Sequence, residues 1–177
     1  MMPTSNRRRY SPSQIYELRG RGVFIDTNVL LMIFRKNKYN HPRGDKYFEI
    51  FTKILAHRLK IFVNEISLSE FYYAALKVER DKSNFPSIKE FRDSEAGIQA
   101  REEIFSDMRT MLHRVQYIPS NLPQSEIMNL FTADSLDFND KLIAATCRKD
   151  NYVLVTDDAD YMDTDIEILS ANSTMFA

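Results

Sequence analysis

Four stretches of the chain bring carboxyl groups to the end of an apolar run or to the first turns of a helix. Asp26 closes Val23-Phe24-Ile25; Glu70 falls one to two turns into a helical stretch that opens at Glu65. Asp140 follows Asp137 at another helix start, and Asp158, with Asp160, follows Val153-Leu154-Val155. If these acids converge, their like charges raise one another's pKa or demand a cation. Every ligand atom would be an oxygen, and His41, His57 and His113 are scattered without zinc-like spacing, so the set favours magnesium or manganese over zinc. A carboxylate-held magnesium with open positions works on phosphates, by deprotonating a water, polarising the phosphoryl oxygen and steadying the leaving oxygen. Phosphodiester hydrolysis is the expected chemistry. Taken singly, each acid has a plainer reading: Asp26, Thr27 and Asn28 are all good N-caps, and a helical Glu such as Glu70 is most often a surface residue, against which stand its apolar neighbours Leu68, Phe71, Tyr72 and Ala75.

To meet, the acids need a scaffold. Val23, Phe24 and Ile25 are consecutive rather than alternating with polar residues, which suits a strand covered on both faces, as in a parallel sheet flanked by helices. In such sheets ligands bind at the carboxyl ends of strands, where the chain turns into a helix with unpaired N–H groups. Further strands are expected over 60–63, 117–119, 152–155 and 166–169, the second at an edge because Pro119 ends it. The spacing predicts a helix from about Thr27, and a second after the loop 36–44, with Tyr47, Phe48, Phe51, Ile54 and Leu55 on one apolar face. A third runs over 65–82, capped by Asn64, and a long one over 88–115, broken near Gly97, with Met108 and Met111 as core filler. A short helix lies within 121–135 and another spans 141–149. Ser11-Pro12-Ser13 followed by 14–18 reads as a capped short helix leading to the first strand. Strands alternating with helices make one α/β domain over 22–170, including a long helical section at 83–115. Residues 1–21 form an arm and short helix, with 1–11 mobile, and 171–177 a frayed tail.

Composition sets the outer bounds. The 177 residues are enough for one domain, and 44% hydrophobic content with twelve Phe and nine Tyr is that of a globular chain. The single cysteine, Cys147, excludes a disulfide framework and points to a reducing, cytoplasmic setting. The basic triplet Arg7-Arg8-Arg9 has no apolar stretch after it, which argues against a secretory signal, and no apolar run is long enough to cross a membrane. The formal net charge of -1 does not advertise a nucleic-acid binder. Locally, however, Arg7, Arg8, Arg9, Arg19 and Arg21 precede the first central strand and Arg35, Lys36, Lys38, Arg43 and Lys46 follow the first helix, which could place a basic rim beside an acidic centre. The four glycines, Gly20, Gly22, Gly44 and Gly97, make neither a Walker loop nor a dinucleotide fingerprint, so no ATP or NAD site is expected.

Taken in order, VFIDTNVL (23–30), SLSEF (67–71), DKLIAA (140–145) and LVTDDADY (154–161) resemble the blocks of PIN-domain ribonucleases, a family that includes VapC-type toxins. The resemblance extends over most of 22–170, and its first and last blocks are the more specific. It implies a three-layer α/β/α sandwich around a five-stranded, mainly parallel sheet. It lands the family's acidic quartet on Asp26, Glu70, Asp140 and Asp158, with Asp160 as an additional metal ligand and Thr156 and Asn28 as supporting polar residues. It further implies Mg2+ or Mn2+, a single-stranded or loop RNA substrate and, for a toxin member, an antitoxin partner and a homodimer. Asp137 is assigned to capping, Asp157 to the surface, and Glu65 stands as the alternative to Glu70. Two features depart from the compact toxin pattern: about twenty residues before the first strand, and the helical section between Lys82 and Val115. Two other readings stay open. One is a PIN-like scaffold that binds RNA or protein without cutting; the other is a haloacid-dehalogenase-like phosphatase, which needs a second Asp where this chain has Asn28.

Overall fold

Val23, Phe24 and Ile25 are each fully buried, yet they serve two different cores, because neighbouring side chains on a strand point to opposite faces. In the computed structural model, which describes residues 8–176, they belong to β2 (Gly22–Ile25), a central strand of a six-stranded parallel sheet. The other strands are β1 (Arg9–Tyr10), β3 (Lys60–Val63), β4 (Gln116–Tyr117), β5 (Val153–Val155) and β6 (Ile168–Leu169), in the order β1-β6-β5-β2-β3-β4. Val23 pairs with Ile61 on one side and Val153 on the other.

The described residues form seven α-helices, on both faces of the sheet. On the face of Val23, Ile25, Val63 and Val155 lie α1 (Thr27–Phe34), α2 (Gly44–Ala56), α3 (Glu65–Lys82), α4 (Ile88–Asp93) and α5 (Glu95–Leu112). On the face of Phe24, Phe62, Leu154 and Ile168 lie α7 (Phe138–Asp150) and a 3-10 turn over Ala159–Asp163, whose Tyr161 is wholly buried. The short α6 (Gln124–Asn129) buries none of its residues. This is the three-layer α/β/α arrangement expected, and each fully buried Phe or Ile in it contributes about 1.5–3 kcal/mol of apolar burial.

The sheet has six strands rather than five, the addition being β1, inside the stretch expected to be a mobile arm. Two residues are too few to give a periodic signal; what holds them is tertiary. Tyr10 is buried, and the Arg9 guanidinium donates to the carbonyls of Ile166 (2.6 Å), Met162 (2.8 Å) and Thr164 (3.0 Å). The rest of the expected arm, residues 1–7, lies outside the described residues. The long helix expected over 88–115 is two helices, and the break is at Ser94 rather than Gly97. Ser94 donates its hydroxyl to the Phe91 carbonyl (2.6 Å) and accepts from the Gly97 N–H (3.1 Å), closing α4 and capping α5. Gly97 is there because the corner is tight: a Cβ would sit 1.8 Å from the Phe91 carbonyl oxygen. The expected frayed tail instead forms a 3-10 turn over Ser173–Phe176, with Met175 buried in the second core.

Candidate active site

Strand order decides where a site can form. From β2 the chain moves to β3 and β4 on one side, whereas β5 and β6 are added on the other, so a crevice opens outside the carboxyl ends of β2 and β5. Asp26 follows β2 and Asp158 lies three residues beyond β5, and the Asp26 N–H donates to the Val155 carbonyl at 3.0 Å. A cleft of about 450 Å³ occupies this position. Asp26, Glu70, Asp137, Asp140 and Asp158 line it, with Thr27, Asn28, Leu31, Tyr39, Tyr73 and Ala74. The acids far apart in sequence thus do face one space.

Each carboxylate is held by a named donor. Asp26, only 4% exposed, accepts from the Thr27 N–H (2.7 Å) and the Thr156 hydroxyl (2.6 Å). The Thr156 hydroxyl in turn accepts from the Asp158 N–H at 3.0 Å, so one side chain couples the two acids. Glu70 accepts from the Thr27 hydroxyl (2.7 Å) and Asn139 Nδ2 (2.8 Å), and Asp140 accepts from the buried Tyr161 hydroxyl (2.7 Å). Asp158 caps the 3-10 turn through the Asp160 N–H (2.9 Å). Thr27 is expected only to cap, and Asn139 and Tyr161 have no expected role; their only signal in the sequence is adjacency to an acid or membership of the last block. Asn28 Oδ1 is buried at the cleft with no hydrogen-bond partner.

Burial pushes the Asp26 carboxyl from 3.8 up to about 7, with Asp140 and Glu70 adding to the rise against the Thr156 and Thr27 hydrogen bonds. Asp140 is likewise raised to about 6, first by burial and then by Asp137, Asp158 and Glu70, against the hydrogen bond from Tyr161. An all-oxygen set with ionisation this unfavourable fits a hard divalent cation, and the unpaired Asn28 oxygen fits the same need. Among the described residues, no three His, Cys, Asp or Glu side chains are already grouped as a metal cage.

Other expected residues stand elsewhere. Asp160 is exposed and lines a neighbouring cavity with Lys141 and Asp163, not the acid cleft. Glu65 is exposed and accepts from Tyr117 of β4 and from Ser120 beyond it, which leaves Glu70 as the α3 acid at the cleft. Asp137 caps α7 as expected, accepting from the Asp140 N–H at 3.0 Å, and lines the cleft as well. Asp157 is not a surface residue: it is 7% exposed and takes Arg43 Nε and an Arg43 Nη, each at 2.6 Å. The expected basic rim is largely consumed in the same way. Arg8 pairs with Glu17, Arg21 with Glu167, Lys36 with Asp45 and Lys38 with Glu103, and buried Arg35 pairs with Glu79 and Asp107.

A family model described as PIN domain matches residues 23–167. The chain belongs to the PIN domain family. Solved structures similar to this PIN domain include VapBC2 from Rickettsia felis bound to a promoter DNA fragment, with 18% identity and a TM-score of 0.56, covering 84% of this chain and 97% of that one. DNA-bound VapBC from Salmonella typhimurium is similar at 16% identity and a TM-score of 0.55, covering 85% and 98%. No curated protein matches the chain. At such identities the likeness concerns the fold.

Proposed function

We propose that this PIN domain is a divalent-metal-dependent endoribonuclease that hydrolyses RNA phosphodiester bonds, and the toxin of a toxin–antitoxin pair. The observation that carries the nuclease reading is the convergence of Asp26, Glu70, Asp140 and Asp158 on one cleft at the β2–β5 crevice. These four residues, with the free Asn28 oxygen beside them, are the ones that would hold Mg2+ or Mn2+. Such an ion lowers the pKa of a bound water and offsets charge on the phosphate. The chain's own part is to set the acids in place. Thr156 ties Asp26 to the Asp158 backbone, Thr27 and Asn139 fix Glu70, and Tyr161 fixes Asp140. Without a cation, burial and mutual repulsion raise Asp26 and Asp140 to about 7 and 6, which is the repulsion a bound divalent ion would relieve.

The toxin reading rests on the fold likeness to the two VapBC complexes. It brings an antitoxin partner, a homodimer and a cytoplasmic setting. Among the described residues no helix is long and apolar enough to cross a membrane. Purified protein incubated with structured RNAs and Mn2+ should cut them, and Asp26→Asn should cut at least about 100-fold more slowly. Equal cleavage by the variant would remove the proposal.

One observation favours a second reading, a PIN-like scaffold that binds RNA or protein without cutting. Each of the four acids already has a protein hydrogen-bond donor, and no ready cage is formed. Calorimetry separates the two: heat of Mn2+ binding at millimolar concentration or below, lost in Asp26→Asn, supports the nuclease, and its absence supports the scaffold.

A further inference from the structure

The acid cleft carries five carboxyl side chains and no basic one in its lining, so it offers a polyanion no attraction of its own. The nearby cations are mostly engaged with other acids. Apart from a cation held by the acids, affinity for RNA at this cleft has to come from groups that ignore the phosphate charge. Two tyrosines in the lining can supply it: Tyr73, 59% exposed on α3 one turn from Glu70, and Tyr39, half-buried in the 35–43 segment after α1.

Tyr39 is the better prepared of the two. Its ring lies parallel to that of His41, with centroids 6.1 Å apart and planes 2° from parallel. Two residues on, Arg43 grips Asp157 through two hydrogen bonds of 2.6 Å, and His41 Nε2 lies 3.7 Å from the same carboxylate. Asp157 stands between Thr156 and Asp158, the two residues coupled to Asp26, and its carbonyl accepts from Asn172 Nδ2 at 2.7 Å. A two-pronged guanidinium–carboxylate pair fixes direction as well as distance. The segment that carries Tyr39 is thereby fastened to the same short stretch of backbone that sets the acids.

Resting on the nuclease reading above, we propose that Tyr39 stacks on an unpaired base of the RNA next to the scissile phosphate, and that Asp157 and Arg43 are positioning residues that hold Tyr39 there. Stacking suits this cleft because every base offers a π-face whatever the charge around it, and each stack is typically lost whole when the ring is removed. Asp157 and Arg43 act only through the loop.

Binding is read apart from cleavage by working in the Asp26→Asn background, with a fluorescein-labelled uridine oligonucleotide of roughly twelve nucleotides followed by anisotropy. Tyr39→Leu keeps apolar volume against the core but removes the ring, and should weaken binding about tenfold or more; Tyr39→Phe should restore it. Asp157→Asn should weaken binding through the same ring, so the double variant with Tyr39→Leu should be no weaker than Tyr39→Leu alone. In the cleaving enzyme the same substitutions should raise KM and leave kcat within about twofold. Because Asp157 is buried, thermal melts accompany its variant, and Tyr39→Leu carries the test if that variant does not fold. Equal binding by wild-type Tyr39 and Tyr39→Leu, or no binding of the oligonucleotide at all, overturns the proposal. A wild-type protein that never cuts RNA with Mn2+ removes the nuclease reading instead, while the anisotropy arm still decides the role of Tyr39.

Discussion

At the scale of single residues, Asp26 does two things that pull against each other. It caps α1 through the Thr27 N–H, and it carries a carboxyl whose ionisation is disfavoured by burial and by neighbouring acids. The folded chain therefore holds the Asp26 proton more tightly than the unfolded chain does, with a pKa of about 7 against 3.8. Between those values the native state binds more protons than the unfolded state, so this group's contribution falls as pH rises from about 4 to 7, and levels off above that. In chelator, urea unfolding at pH 5 and pH 8 should show Asp26→Asn gaining on the wild type by on the order of 1–3 kcal/mol at the higher pH, since Asn still caps the helix. A difference that stays constant with pH would mean that Asp26 ionises freely. Metal binding should follow the opposite course, because it needs ionised carboxylates. The affinity for Mn2+ in calorimetry should climb through pH 6 to 7, the range in which metal-free Asp140 and Asp26 lose their protons, and then flatten.

At the scale of elements, the acids stay in place because their helices start where they do. Asn64, fully buried, accepts from the N–H groups of Ile66 and Ser67 and so sets the phase of α3 that turns Glu70 to the cleft. The α4–α5 corner braces α3 from the far side, with Phe91 and Ile104 fully buried. At that corner Gly97→Ala should destabilise the protein by about 2 kcal/mol or more, against the small gain that Gly→Ala normally brings inside a helix. A urea titration gives the answer, and an unchanged midpoint would show that the corner can relax. The sequence pattern places a break near Gly97, and the junction lies three residues before it. The turn was made by Ser94, whose two hydrogen bonds are visible only once Phe91 is beside it.

At the scale of the whole molecule, ion pairs lock the helical layer together. Arg35, at the end of α1, reaches Glu79 on α3 and Asp107 on α5 with its side chain 1% exposed. Arg35→Ala should cost about 3 kcal/mol, because it leaves two acids facing each other without their cation. A shift in the denaturant midpoint of less than a third of that would mean that Lys38, 3.7 Å from Glu79, takes over the role. The same pairing explains why most of the expected basic rim, among the described residues, is engaged with acids: charge clusters in a sequence say nothing about whether acids from other elements will fold against them.

The sequence by itself determined the alternation of strands and helices, the apolar strand centres, the caps Asn64 and Asp137, and the places where acids end strands or open helices. These are local matters, settled by side-chain periodicity and by unpaired N–H groups within a few residues. Only the tertiary structure decided that β5 lies beside β2, which brings Asp158 to Asp26, and that Glu70 rather than Glu65 faces them. It also decided that Asp157 is buried against Arg43, that Asp160 faces another cavity, and that two residues near the start complete the sheet. All but the placement of Asp160 depend on partners more than forty positions away, and a side chain's surroundings at that separation are set by how layers pack rather than by its neighbours in the chain.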